Sequence, residues 1–361
     1  MLRAALIGVP STGRTTLFQL LTTAREAPRP THGKSDANVG ISRVPDERLD
    51  RLTALFNPRR RVPATVEFAD TADPAQAGAA ALLDVAAYRN ADALVHVVRA
   101  FRDPSVPHAS GSVDPARDAQ AMEEELILAD LGVAERRLER IARDLKKART
   151  PELEREQMLM IRCRETLEQG TPLRTLDLQG EDLKRLRGFQ LLSAKPLLLV
   201  INLDESDIGS IHDATALAGL DRFATNLATR VVAVCARIEL EIAQLGADDA
   251  AAFLTDLGLS ESGLDRVIRA SYDLLGYISF FTVGDDECRA WSIPRRTTAQ
   301  AAAGEIHSDI ARGFIRAEVV RYEQLVARGS LAACKEHAEL RLEGKDYVVQ
   351  DGDVINFRFA T

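Results

Sequence analysis

Leu6-Ile7-Gly8-Val9-Pro10-Ser11-Thr12-Gly13-Arg14-Thr15-Thr16 is the stretch from which the rest of the chain takes its meaning. A short apolar run, Ala4 to Ile7, ends in Gly8, and Gly13 follows five residues later. A basic residue, two threonines and an apolar helical pattern (Leu17, Phe18, Leu20, Leu21) come next. The order is strand, loop, helix, in which loop N–H groups and a positive helix end can wrap phosphates. The phosphate-loop pattern Gly-x-x-x-x-Gly-Lys-Ser/Thr is complete except for its lysine, replaced by Arg14. A glycine turn in an ordinary α/β domain is the plain alternative, so the later segments have to decide.

Residues 24–40 hold two prolines and three glycine or asparagine turn formers with little periodicity, and they read as a loop. In a nucleotide switch a threonine from this region reaches Mg²⁺ and the terminal phosphate. Thr31 and Ser35 occur there without a pattern that places them. Val44-Pro45-Asp46 opens a helix through Leu49, Leu52 and Leu55, and Pro58-Arg59-Arg60-Arg61 reads as a surface turn. Thr65 to Asp70 reads as a strand ending in a carboxylate, the position of a Mg²⁺-linked acid. Asp73 stands where a glycine would complete Asp-x-x-Gly, and an alanine-rich helix from Ala79 to Tyr88 follows.

Ala93 to Arg99 and Pro196 to Asn202 are continuously apolar, as in strands buried on both faces. His96 reads as a core histidine rather than a ligand. Between these strands, Ile127, Leu131, Ala134, Leu138, Ile141 and Leu145 form a seam of coiled-coil spacing. Thr150-Pro151 breaks it, and a second helix from Glu152 to Glu168 completes a hairpin. Asn202-Leu203-Asp204-Glu205 lies at a strand end, where Asn-Lys-x-Asp would suit guanine. Leu203 and the longer Glu205 do not imply that clamp. Val231 to Val234 ends a further strand at Cys235. From Tyr277 onward, strands at 278–282, 287–293, 347–349 and 354–359 alternate with helical stretches, an α+β module.

With 361 residues and 46% hydrophobic content, the chain has material for two or three domains. A formal net charge of -8 excludes nucleic-acid binding by bulk electrostatics and leaves room for a local basic face. Cys163, Cys235, Cys288 and Cys334 are scattered without metal spacing, and read as reduced core thiols. The first strand begins without a secretory apolar core, and no run of eighteen apolar residues occurs, so a cytoplasmic protein with no membrane association is expected.

The combination resembles the YchF family of Obg-related P-loop ATPases along essentially the whole chain. The segments that carry the resemblance begin with Gly8-x-Pro10-x-x-Gly13, Val44-Pro45-Asp46-x-Arg48-Leu49 and His96-Val97-Val98-Arg99-x-Phe101. Asn202-x-x-Glu205, Arg289-Ala290-Trp291, Gly313-Phe314-Ile315-Arg316-Ala317 and Asp351-Gly352-Asp353-Val354 continue it. The resemblance implies an α/β fold: a P-loop NTPase G domain (1–118 and 195–276), an inserted α-helical hairpin or coiled coil (119–194), and a C-terminal α+β TGS domain (277–361) of β-grasp, ubiquitin-like type. It also implies ATP preferred over GTP and association with the ribosome or RNA through the hairpin and TGS domain. Carried over by position, Ser11, Thr12, Gly13, Arg14, Thr15 and Thr16 would hold phosphates. Thr15 and Asp70 would hold Mg²⁺ with ATP or ADP. Asn202, Leu203 and Glu205 would hold the base, with Cys235 beside it.

The departures gather where phosphate chemistry occurs. Arg14 replaces the loop lysine, the switch I threonine falls near Lys34, and Asp73 replaces a γ-phosphate-sensing glycine. Arginine keeps the charge in a bulkier, planar fork. Losing one transition-state contact of this kind costs about a hundredfold or more in rate. The expected function is therefore an adenine-nucleotide-binding protein with hydrolysis weakened or lost, in which Arg14 and Asp73 could pair and close the γ-site. The alternative is an active ATPase switch on the ribosome, with Arg14 as a phosphate contact and no identifiable general base.

Overall fold

The computed structural model describes residues 2–23, 37–71, 86–178, 180–226 and 228–360. The chain begins β1 (Leu2–Ile7), α1 (Arg14–Thr23), β2 (Ala37–Arg43), α2 (Glu47–Phe56), β3 (Arg60–Val62), β4 (Thr65–Thr71) and β5 (Ala93–Arg99). Two long helices, α3 (Pro115–Leu145) and α4 (Pro151–Glu168), precede β6 (Leu197–Asn202), β7 (Thr229–Val234), α5 (Ala236–Ile242) and α6 (Gly263–Leu274). The last third holds β8 (Tyr277–Thr282), β9 (Glu287–Pro294), α7 (Ala299–Ile306), β10 (Phe314–Arg321), β11 (Arg341–Glu343) and β12 (Asp353–Phe359). Shorter helices lie between these elements. Two units result: residues 1–42 with 67–274, and residues 43–66 with 275–361.

In the first unit the sheet order is β2-β4-β1-β5-β6-β7. The pairs β1–β5, β5–β6 and β6–β7 are parallel. Every residue of β5 and β6 is buried, as the unbroken apolar runs require of a sheet covered on both faces. The register sets Ile7 beside His96 and Arg99 beside Asn202, so the carboxyl ends of these strands share one edge. Ligands of open parallel sheets bind beyond that edge. His96 is a core residue, as its run implies, and burial holds its imidazole neutral with a pKa lowered to about 3.

Helix α3 starts at Pro115 rather than at the expected 119, because the Asp114 side chain caps it by accepting from Arg117 N. The seam packs as read. Ile127, Ala134 and Ile141 are buried against Leu159, Met160, Cys163 and Leu167 of α4, with Leu131, Leu138 and Leu145 beside them. Its base is tied down by Asp130, which accepts from Leu192 N (2.8 Å), Ser193 N (2.7 Å) and Ser193 Oγ (2.6 Å). A buried Arg174–Glu123 ion pair lies nearby along α3.

In the second unit the sheet order is β11-β10-β12-β8-β9-β3. Helix α7 lays Ala299, Ala302 and Ala303 against Ile278, Phe280, Ile293, Ala317 and Phe357. Residues 43–66, expected in the first domain, belong to this unit. Asp46 caps α2, and the Arg48 guanidinium donates to both Asp46 and Asp351. Asp351 in turn accepts from Ser279 N (2.9 Å), which fixes the turn before β12.

Several local expectations change. The arginine turn at 58–61 contributes instead to β3, paired parallel to β9, with Arg59 and Arg60 in ion pairs to Asp286 and Glu287. Residues 37–40, read as the end of a loop, open β2, and β10 and β11 are strands that charge-rich sequence concealed. Tyr347 to Val349 is no strand; Val348 makes one isolated bridge to Thr298. Thr31, Lys34, Ser35, Asp73 and the start of the helix expected from Ala79 lie outside the described residues. Among the described residues no helix is long and apolar enough to cross a membrane.

Candidate functional site

The glycine-rich loop runs from the end of β1 to the start of α1. Ser11 (φ 66°) and Gly13 (φ 87°) are both left-handed, so the loop curls back over the helix end. Thr12 Oγ1 donates to Val9 O (3.1 Å) and closes the curl, and Leu17 N donates to Gly13 O (2.8 Å) to begin the helix. Thr12 and Arg14 are buried, Ser11 and Thr15 are exposed, and Gly13 and Thr16 are half-buried. Exposed amide-bearing residues at a helix N-terminus form a ready anion site.

Arg14 is 7% exposed and its guanidinium turns into the protein. Nε donates to Asp70 Oδ1 (2.8 Å), Nη2 to Thr71 O (2.9 Å) and Nη1 to Gly8 O (3.3 Å). Asp70 is 2% exposed at the end of β4, and its other oxygen, Oδ2, accepts from Thr15 Oγ1 (3.1 Å). The expected Mg²⁺ ligands therefore meet each other, with a fixed cation against the acid. Arg14 therefore pairs with Asp70, while the partner expected for it, Asp73, lies outside the described residues.

Asn202 ends β6 at 4% exposure and links three strands' worth of backbone. Its Nδ2 donates to Thr12 O (2.9 Å), and its Oδ1 accepts from Ala236 N (3.0 Å). Its backbone carbonyl accepts from Ala100 N and Phe101 N. Read from sequence as a base ligand, it is first of all a brace between the phosphate loop and the start of α5. Leu203 is buried in the core, where its N–H donates to Val234 O (2.7 Å). Glu205 begins the short helix Glu205–Asp213, and its Oε1 pairs with Arg237 Nε at 2.7 Å. Cys235 is the buried residue before α5, and burial pushes its thiol pKa up.

Two groups at this edge escaped the sequence reading. Arg99, buried at the end of β5, donates to Phe101 O and Asp103 O and lies over the Phe101 ring at 4.4 Å. Asp204 accepts from Arg102 N (3.1 Å) and Ser206 N, bonds that hold its carboxyl below the usual range. The signal available for both was their position directly after an apolar run. The described residues contain no group of three or more His, Cys, Asp or Glu side chains able to hold a metal.

A parallel sheet with a curled glycine loop at its first strand end, feeding a helix N-terminus, defines a P-loop nucleotide-binding fold. Comparison with known proteins agrees. Residues 277–360 match the family model YchF-GTPase_C, described as "Protein of unknown function (DUF933)". The chain is 41% identical to the Ribosome-binding ATPase YchF of Bacillus subtilis, over 99% of each chain. It is 37% identical to the protein of that name from Escherichia coli O157:H7, again over 99% of each. The solved structure of the Schizosaccharomyces pombe YchF GTPase is similar with a TM-score of 0.84 and 28% identity, covering 99% of this chain and 97% of the other. The chain belongs to the YchF family.

Proposed function

We propose that this chain binds adenine nucleotides at the phosphate loop, associates with the ribosome, and hydrolyses ATP weakly or not at all. The observation that carries the last point is the Arg14 guanidinium bonded to Asp70, Thr71 and Gly8. A loop lysine is a flexible point charge for the β- and γ-oxygens, whereas this planar head is already fixed by protein acceptors. Preference for adenine is supported by Leu203 in the core and by Glu205 held in its pair with Arg237. Guanine would want a free carboxylate for its ring N–H and amine.

Ribosome association is supported by the relatives' names and by the far end of the helical pair. Residues 136–149 carry seven Lys or Arg against two acids in a chain of net charge -8. Most of them are exposed, a local surface suited to RNA phosphates. In this reading residues 277–361 of the second unit are the TGS module and the protein is cytoplasmic.

Titration calorimetry with ATP, ADP and GTP, beside single-turnover hydrolysis with and without ribosomes, tests the reading. Adenine nucleotides should bind at least tenfold tighter than GTP, and γ-phosphate should not be released faster than in buffer. Ribosome-stimulated turnover would instead establish an active ATPase switch, in line with the name ribosome-binding ATPase carried by the relatives.

A further inference from the structure

We infer that Arg14 has taken over the place of the divalent ion, so that nucleotide binding by this chain is independent of Mg²⁺. The inference rests on the nucleotide-binding reading above and deepens it. A nucleotide-linked Mg²⁺ demands a near-ideal octahedron of oxygens at about 2.0–2.1 Å and uses one or two protein carboxylates. The chain offers Thr15 and Asp70, and they do not fit. Asp70 Oδ1 is taken by Arg14 Nε and Oδ2 by Thr15 Oγ1, at 2.8 and 3.1 Å. Each carboxylate oxygen therefore already accepts a hydrogen bond from the chain's own side chains.

The pair is also anchored against rearrangement. Arg14 and Asp70 are both buried, and two further guanidinium nitrogens are held by the carbonyls of Thr71 and Gly8. Freeing the carboxylate for a metal would strand a buried guanidinium, the costly way to break such a pair. A doubly charged ion brought beside that fixed cation would be repelled, most strongly at low dielectric. A lysine on the same stem could swing away, because its ammonium has no fork to lock it.

Charge bookkeeping gives the same answer. A lysine, a divalent ion and an aspartate together place +2 near the phosphates, whereas Arg14 and Asp70 together place zero. Phosphate affinity then comes from loop amides and the N-terminus of α1, which need no metal. The missing positive charge falls hardest on a triphosphate, so the diphosphate should bind at least as tightly as the triphosphate.

Calorimetric titration of the full chain with ADP and ATP, in excess MgCl₂ and again in EDTA, tests this. The wild-type Kd should move by no more than about threefold between the two, while Arg14→Lys should gain at least tenfold from the metal. Wild-type affinity that rises more than threefold with Mg²⁺ overturns the inference and leaves nucleotide binding intact. An Arg14→Lys chain that folds by circular dichroism yet ignores the metal also overturns it, because Arg14 is then not the cause. Absence of nucleotide binding in every condition defeats this inference and the nucleotide reading together. If Arg14→Lys does not fold, the wild-type comparison still decides.

Discussion

The side-chain amide nitrogen of Asn202 lies 2.4 Å from the point where a β-carbon on Gly13 would fall. That amide is also held from both sides, by Thr12 O and by Ala236 N. The phosphate loop is therefore shaped by a side chain 190 positions from Thr12 in sequence, and the glycine lets it approach.

Gly13→Ala should cost stability and nucleotide affinity at once. The left-handed backbone alone is worth about 1–3 kcal/mol of strain for a residue with a β-carbon. The amide of Asn202 must also withdraw, releasing Thr12. Urea unfolding should show a lowered midpoint, and calorimetry should show no ADP binding. A variant as stable as wild type would mean that the loop is not held in this conformation.

Asn202→Ala removes the same brace without straining the loop. It leaves Thr12 O and Ala236 N without their partner at a buried edge, a loss of about 2–4 kcal/mol. Asn202→Asp keeps the acceptor for Ala236 N but sets a carboxylate against a carbonyl, so it should not rescue stability. Equal stability of Asn202→Asp and wild type in urea melts would show that the contact to Thr12 matters little.

The apolar runs made the parallel sheet legible, because a strand buried on both faces has nowhere to put a charge. The same criterion hid β3 and β11, whose residues are largely arginine and glutamate at a sheet edge. It also hid β2, where Ala, Asn and Gly give no alternation. The placement of residues 43–66 could not be read locally: it depends on Arg48 meeting Asp351, some 303 positions away. In the site, the identity of Arg14 was visible but its partner was not. From sequence only Asp73 is expected as a partner, and the contact with Asp70 depends on where β4 ends.

Cys235 should be chemically silent in the folded protein. Its thiol is buried and its pKa is raised by that burial, as are those of Cys288 and Cys334, while Cys163 is pushed up to about 11. Thiol reagents need thiolate and access. Ellman's reagent at neutral pH should therefore count no thiols in the native chain and four after denaturation. Rapid modification of Cys235 in the native state, mapped by mass spectrometry, would show that the strand edge beside α5 opens readily.

His96 should contribute a distinct acid limb to the stability curve. Its pKa is lowered from 6.5 to about 3 by burial among apolar strands, so the folded chain resists a proton that the unfolded chain accepts. Its contribution is full above about pH 6.5 and is lost progressively as pH falls toward the folded value. Between pH 7 and pH 4.5 that loss amounts to about 2–3 kcal/mol. His96→Leu removes the titration and fits its cross-strand neighbours, Ile7 and Leu199. It also replaces a ring whose Nε2 has no hydrogen-bond partner among the described residues, so little is forfeited at neutral pH. Urea unfolding of both proteins across this interval isolates the effect, because every other carboxylate and histidine titrates in both. The stability of the leucine variant relative to wild type should climb steadily as pH drops, and a difference that stays flat would place a proton on His96 in the folded state.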